Sequence, residues 1–361
     1  MKINRILPGL LALAFLLGSC AQKEPFSGTF PVRQSASSVP GRVPSDPIPD
    51  DDPSPDPGPD TYPSLLSVLD DKIAEYNRDE SIKTNHVYIC AHRANTAYGK
   101  SHGIPENSLW AIATAIENGA DFVELDVAST KDGVLMIMHD EALGTTTNGS
   151  GNIGDKTYGQ VKELRMHPRG SSEYPKYEGD YVRVPTLQEA LEACKGKIYV
   201  NLDMKDRAFP VSDILDAIDK SGTVNQVMIF GGTNDKKELI NEAYNKLNHS
   251  KLAIHPYIGA PSDARKYLIK SYNGCAKLFQ YNTDQYYNPG NYDESISPFG
   301  YKCHAYGVLS YSNSLDYDTQ IASWTSGSCT VLDRFITSGT DVVQTDYCEK
   351  ADQYLKTKGL R

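Results

Sequence analysis

Seven cysteines are scattered through the 361 residues without a single Cys-x-x-Cys pair, so the ligand spacing of a structural zinc module is absent. No block of Lys and Arg stands out and the formal net charge is −10, which makes nucleic acid and anionic membrane surfaces poor partners. No Gly-x-Gly-x-x-Gly or Walker sequence follows any apolar run, which weakens a nucleotide-binding reading. The apolar run from Ile6 to Leu17 falls short of the roughly 20 residues that a membrane-spanning helix needs. What is present is a globular composition. With 39% hydrophobic and 23% charged residues, the chain can build one large domain or two ordinary ones.

The amino terminus reads as a targeting segment. Lys2 and Arg5 precede the apolar run, and Leu17-Gly18-Ser19-Cys20 closes it with small residues before a cysteine. This order resembles a bacterial lipobox. It implies removal of residues 1–19 as a signal peptide, lipidation of Cys20, and anchoring in the cell envelope, in the periplasm or at the outer membrane. An ordinary secretory signal with an incidental cysteine is the alternative, and export follows either way. Residues 20–62 are rich in Pro, Ser and Asp. So little apolar surface cannot offset chain entropy, and the segment reads as an extended, disordered tether. Export permits disulfides among the remaining cysteines, but their spacing does not say which would pair.

From 63 to 361, short apolar runs alternate with amphipathic stretches, the pattern of an α/β protein with a parallel sheet. Strands are expected at Val87–Ala91, Phe122–Val127, Val134–Met138, Ile198–Met204, Gln226–Phe230, Leu252–Tyr257, Lys277–Tyr281, Tyr306–Ser310 and Asp341–Thr345. Helices are expected at Leu65–Tyr76, Ser108–Asn118, Leu187–Cys194, Val211–Ser221, Lys236–Leu247, Ser262–Ser271, Thr330–Ser338 and Glu349–Lys356. A (β/α)8 TIM barrel is the leading architecture, with a doubly wound open sheet as the alternative. Nine strand candidates are one too many for eight staves. Residues 144–185, rich in Gly, Tyr and Thr and poor in periodicity, read as an insertion after the third strand that partly covers the barrel mouth.

Two of these strands alternate acid with apolar. In Phe122-Val123-Glu124-Leu125-Asp126-Val127, the two acids share one face and the aliphatics the other. In Val200-Asn201-Leu202-Asp203-Met204-Lys205, Asn201, Asp203 and Lys205 share a face in the same way. Carboxylates gathered in the centre of a barrel repel one another unless protons or a cation intervene, and a bound divalent metal is the economical reading. Barrel chemistry gathers at the carboxyl ends of the strands. Those ends supply His92-Arg93, Glu124 with Asp126, His139-Asp140, and Asp203 with Lys205. A hard cation for the oxygens, two histidines able to exchange protons and two side-chain cations for an anion together describe attack on a phosphate diester.

The same residues carry a family resemblance. His92-Arg93, Pro105-Glu106-Asn107-Ser108, Gly119 through Val127, Thr130-Lys131-Asp132-Gly133 and His139-Asp140 occur in the order found in glycerophosphodiester phosphodiesterases. Thr147 to Gly151, Val184-Pro185-Thr186-Leu187, Asn201 to Lys205, and Gly339-Thr340-Asp341 through Thr345-Asp346 continue it. The resemblance implies a TIM barrel with Glu124, Asp126 and Asp203 binding Mg²⁺ or Ca²⁺. It also implies His92 and His139 as general base and acid, Arg93 and Lys205 as phosphate ligands, and Glu106 in support. The substrate it implies is a small phosphodiester, split to glycerol 3-phosphate and an alcohol. The lipobox-like terminus leaves Cys20 as the expected contact with the membrane, and no protein partner is evident from the sequence. Ala94 stands where the family usually has Gly, Asp203 where it usually has Glu, and Thr145 where it usually has Arg. The late Trp-Thr-Val-Asn-like motif is replaced by Gly307 through Asn313. Alternatives are a phosphoinositide-type enzyme stopping at the cyclic phosphate, a glycoside hydrolase using the paired acids, and an inactive barrel serving as an envelope binding lipoprotein.

Overall fold

The computed structural model describes residues 62–78, 84–171, 173–175, 182–204, 210–232, 252–257, 276–282 and 299–361. Cys20, Lys205, Cys275 and the helices expected at Lys236–Leu247 and Ser262–Ser271 lie outside the described residues. The first element is helix α1 (Leu65–Arg78). Its Leu65, Leu69, Ile73 and Tyr76 recur at the three- and four-residue spacing that puts side chains on one helix face, and all four are buried. Strand β1 (Tyr88–Ala91), helices α2 (Ala97–Ser101) and α3 (Leu109–Glu117), and strand β2 (Phe122–Ser129) follow. Strand β3 (Leu135–Ile137), helices α4 (Tyr158–Lys162) and α5 (Leu187–Cys194), and strand β4 (Tyr199–Asp203) come next. Then come α6 (Val211–Ser221), β5 (Val227–Gly232), β6 (Ala253–Pro256) and β7 (Leu278–Asn282). The chain closes with α7 (Phe299–His304), β8 (Leu309–Asn313), α8 (Asp318–Ser323), α9 (Thr330–Ser338), β9 (Val342–Thr345) and α10 (Cys348–Thr357).

Eight strands pair in parallel in the order β6-β5-β4-β2-β1-β9-β8-β7. Parallel bridges Ile254–Ala276 and Tyr257–Gln280 tie the two ends of that order together, so the barrel is nearly closed. The surplus strand is β3. It pairs antiparallel with the last residues of β2, Val127 to Ser129, which run on past the rim as one arm of a hairpin. The expected strand at Tyr306–Ser310 is displaced to Leu309–Asn313. Gly307, at φ +72°, belongs to the turn that ends α7, and the turn consumes Tyr306 as well.

Inside the barrel most strands begin apolar and become polar two residues later, Phe230 of β5 being an exception. Phe122, Tyr199, Met228, Ala253, Leu278 and Val342 form the lower layer, packed on α1, which closes the floor. Glu124, Asn201, His255, Gln280 and Gln344 stand above them in the same alternation. Hydrophobic burial therefore holds the floor, and the polar side chains collect at the mouth. The five described cysteines, Cys90, Cys194, Cys303, Cys329 and Cys348, are free and buried, so they act as small hydrophobes in the core. The 144–185 segment has a core of its own in which Ile153, Val161, Met166 and Val184, with Leu143 just before it, pack on Met136 and Met138 of the hairpin.

Candidate active site

β2 and β4 are neighbours in a register that sets Glu124 beside Asn201 and Asp126 beside Asp203. The inward alternation thus brings Glu124, Asp126 and Asp203 to one patch, where an oxygen from each lies within 4.8 Å of the others. Glu124 and Asp126 are buried and Asp203 is half-buried. Three carboxylates at that spacing, away from water, need a neutralising partner. An all-oxygen donor set of this kind fits a hard divalent ion, Mg²⁺ or Ca²⁺, better than a softer metal.

β1 delivers His92 and Arg93 next to this patch. Arg93 and Ala94 take left-handed backbone angles, φ +52° and +56°, which turn the chain sharply at the rim. The turn aims the Arg93 N–H at Glu124 Oε2, 2.9 Å away, and offers the Arg93 carbonyl to the Asn107 N–H at 2.8 Å. Asn107, itself at φ +58°, donates its side-chain amide to Asp126 Oδ2 at 2.8 Å. Glu106 accepts from Arg93 Nη1 at 3.0 Å, so it orients the guanidinium.

His92 Nδ1 lies 2.8 Å from Asp346 Oδ1, just beyond β9. A carboxylate can only accept, so Nδ1 carries the proton, and Nε2 turns to the acidic patch, 4.0 Å from Glu124 Oε2. Burial works against the Asp346 charge, yet the hydrogen bond and charge of His92 and of Lys100, 3.0 Å away, hold its carboxyl well below the usual range.

His139 reaches the same cavity by another route. Because β3 runs antiparallel, it returns the chain from the top of the hairpin to the rim, where the Met138 N–H bonds the Asp126 carbonyl at 2.8 Å. His139 Nδ1 is 3.3 Å from Asp140 Oδ1. Asp140 pairs with Arg169 of the 144–185 segment, and Arg169 also donates to Glu106 at 2.9 Å. Burial opposes the Asp140 charge, but the Arg169 guanidinium beside it prevails and holds the carboxyl below its ordinary range. Ion pairs thus link Arg93, Glu106, Arg169 and Asp140, with His139 beside the last of them.

Of the residues expected from sequence, His92, Arg93, Glu124, His139 and Asp203 line one cavity. Asp126 completes the acidic patch from a fully buried position, and Glu106 stands behind Arg93. Lys205 lies outside the described residues. The sequence reading gave no role to Asp346, Asn107 or Arg169. Asp346 closes the last strand motif and Asn107 sits in the Pro-Glu-Asn-Ser motif, so position alone pointed to both. Arg169, in a stretch without periodicity, gave no such signal. The far wall of the cavity, on β7, β8 and β9, offers Gln280, Asn313 and Gln344. Beneath it, Asn201 donates to the Tyr311 hydroxyl at 3.3 Å, and His255 Nδ1 approaches Asn201 Oδ1 at 3.4 Å. Burial pushes the His255 imidazole down to about 3, so it is neutral there.

The model of the glycerophosphoryl diester phosphodiesterase family matches residues 92–349, which run from His92 to just beyond Asp346. The chain belongs to that family. Glycerophosphodiester phosphodiesterase 1 of Mus musculus is 41% identical over 125 residues, a match covering 34% of this chain and 35% of that relative. The chain thus spans about a third of the length of that curated relative. A glycerophosphoryl diester phosphodiesterase from Parabacteroides distasonis shares the fold with a TM-score of 0.60 at 20% identity, covering 82% of this chain and 93% of that one. An Oleispira antarctica phosphodiesterase, solved with its product sn-glycerol-3-phosphate, shares it with a TM-score of 0.54 at 20% identity, covering 74% and 96%. The eight-stranded barrel with its mouth at Glu124, Asp126 and Asp203 is this family's fold on this sequence.

Proposed function

We propose that the chain hydrolyses glycerophosphodiesters to glycerol 3-phosphate and an alcohol in a reaction that depends on a divalent metal. The observation that carries the reading is the convergence of three carboxylate oxygens within 4.8 Å, with His92 and His139 lining the same cavity. The family match and the product named for the Oleispira antarctica phosphodiesterase support the choice of substrate. Glu124, Asp126 and Asp203 would hold the ion. When bound, it would supply Lewis-acid neutralisation of the phosphoryl oxygens.

The residues of the chain do the rest. Arg93, steered by Glu106, draws the phosphate to the rim, and Lys205 belongs to the same role by its place after Asp203. His92 Nε2 takes the proton of the substrate glycerol hydroxyl as its oxygen bonds to phosphorus, and Asp346 stabilises the imidazolium that forms. His139 gives a proton to the departing alkoxide, so the P–O bond to the alcohol breaks and a cyclic phosphate remains. Water then opens the ring with the proton roles reversed, regenerating both histidines.

The test is phosphorus NMR and enzymatic detection of glycerol 3-phosphate released from glycerophosphodiesters with Mg²⁺ or Ca²⁺. His92→Ala and His139→Ala should each lower kcat by roughly 10²–10⁴-fold, and chelation should abolish turnover. Undiminished activity in both variants, or in excess chelator, would overturn the assignment.

A further inference from the structure

The wall facing the acids differs from them in kind. Around the barrel, β7 and β8 stand opposite β2 and β4, so Gln280 and Asn313 look across the cavity at Glu124 and Asp203. With Gln344 on β9, three primary amides on three successive strands line this half, Asn201 of β4 lies beneath the acids opposite, and among the described residues of β7 and β8 no carboxylate joins the amides. Hydrogen bonds orient Gln344, Asn313 and Asn201. The Tyr311 hydroxyl has one hydrogen; it accepts from Asn201 Nδ2 at 3.3 Å and donates to Gln344 Oε1. That bond occupies the carbonyl end of Gln344 and leaves its Nε2 amino group as the end available to the cavity. Asn313 Oδ1 accepts the Leu315 N–H at 3.0 Å, which fixes that amide as well. His255 holds the carbonyl of Asn201, so the layer beneath the mouth is one connected framework rather than a set of loose side chains.

We infer that this amide wall is the subsite for the alcohol on the far side of the phosphorus, and that it selects neutral, polyhydroxyl alcohols such as glycerol or inositol over choline. The inference rests on the phosphodiesterase reading of the acidic side. Amides offer both donors and acceptors without net charge, which matches hydroxyl groups. A site that hydrogen-bonds a hydroxyl rejects an analogue lacking it, because its own polar groups are then left unpaired. A quaternary ammonium has no hydrogen to donate to an amide carbonyl and is bound best by aromatic faces. Apart from the imidazoles of His92 and His139, the aromatic ring lining the cavity among the described residues is Phe230, which stands 5.5 Å from His255 in an edge-on contact. Asp346, two residues beyond Gln344, is already shared between His92 and Lys100.

The experiment compares kcat/KM for glycerophosphoglycerol, glycerophosphoinositol and glycerophosphocholine on the full chain with Mg²⁺. At least one polyol diester should be preferred to the choline diester by about tenfold or more. Gln344→Leu and, at the half-exposed rim, Gln280→Leu should each reduce that ratio about fivefold or more through KM. Equal or greater kcat/KM for glycerophosphocholine, or a ratio that neither variant moves, would overturn the inference. Thermal-shift titration with the same three diesters reads the subsite without turnover. If no diester is hydrolysed, but the polyol diesters still raise Tm more than glycerophosphocholine does and Gln280→Leu cancels the difference, the reaction assigned above fails while the subsite stands. Equal shifts overturn the subsite.

Discussion

Ala94 adopts φ +56°, a region where a Cβ crowds the following carbonyl at a cost of about 1–2 kcal/mol. The family resemblance expects Gly at this place, and the backbone supplies the reason. Ala94→Gly should therefore stabilise the fold, raising Tm by roughly 2–4 °C in calorimetry, and a lower Tm would contradict the argument. At this scale the sequence was legible wherever two-residue alternation governs. Glu124, Asp126 and Asp203 could be assigned to one side of their strands from spacing alone, and they do converge. The partnership of His92 with Asp346 could not be read that way, because it spans 254 positions and exists only once β9 pairs with β1. Arg169 was invisible for a related reason. A long flexible side chain in a segment without periodicity has no face until the segment has folded.

Among the elements, α1 does for the floor what the loops do for the mouth. Its Leu69 is 1% exposed beneath the lower layer of the barrel. Leu69→Ala should cost about 2–5 kcal/mol, seen as a lower denaturant midpoint with little change in KM, since the side chain lies at the end of the barrel away from the cavity. A midpoint unchanged from the parent would mean that α1 is not the closure described. Helix periodicity made α1, α5, α6 and α9 readable in advance, several of them to the residue. The strand count was not readable. Val134–Met138 has the composition of a barrel strand, and composition cannot say whether a strand continues the parallel sheet or folds back on its neighbour. The difference has a functional side, since folding back is what carries His139 to the rim. Short helices such as α2 and α8 escaped because five or six residues are too few to display a period.

For the molecule as a whole, acid is the condition to which this architecture is most exposed. The buried His255 titrates at about 3 in the fold against an ordinary 6.5. Between those values the unfolded chain binds a proton that the folded chain does not, so stability is lost as pH falls from about 6.5 toward about 3, by at most about 1.4 kcal/mol per pH unit. Asp346 and Asp140, both held below the ordinary carboxylate value, act with the same sign at lower pH: their contribution is present above that value and lost on acidification. Tm should fall between pH 7 and pH 4, and His255→Gln, which cannot take up the proton, should make the fall shallower. Identical slopes for parent and variant would remove His255 from the account. A further consequence follows from where the described chain enters the barrel. The Tyr62 ring sits 5.0 Å from that of Tyr199, and Pro63 accepts the Tyr199 hydroxyl at 3.1 Å, both at the closed end. Force carried by the chain through Tyr62 and Pro63 is therefore delivered to the sealed base, at the pole away from Glu124, Asp126 and Asp203.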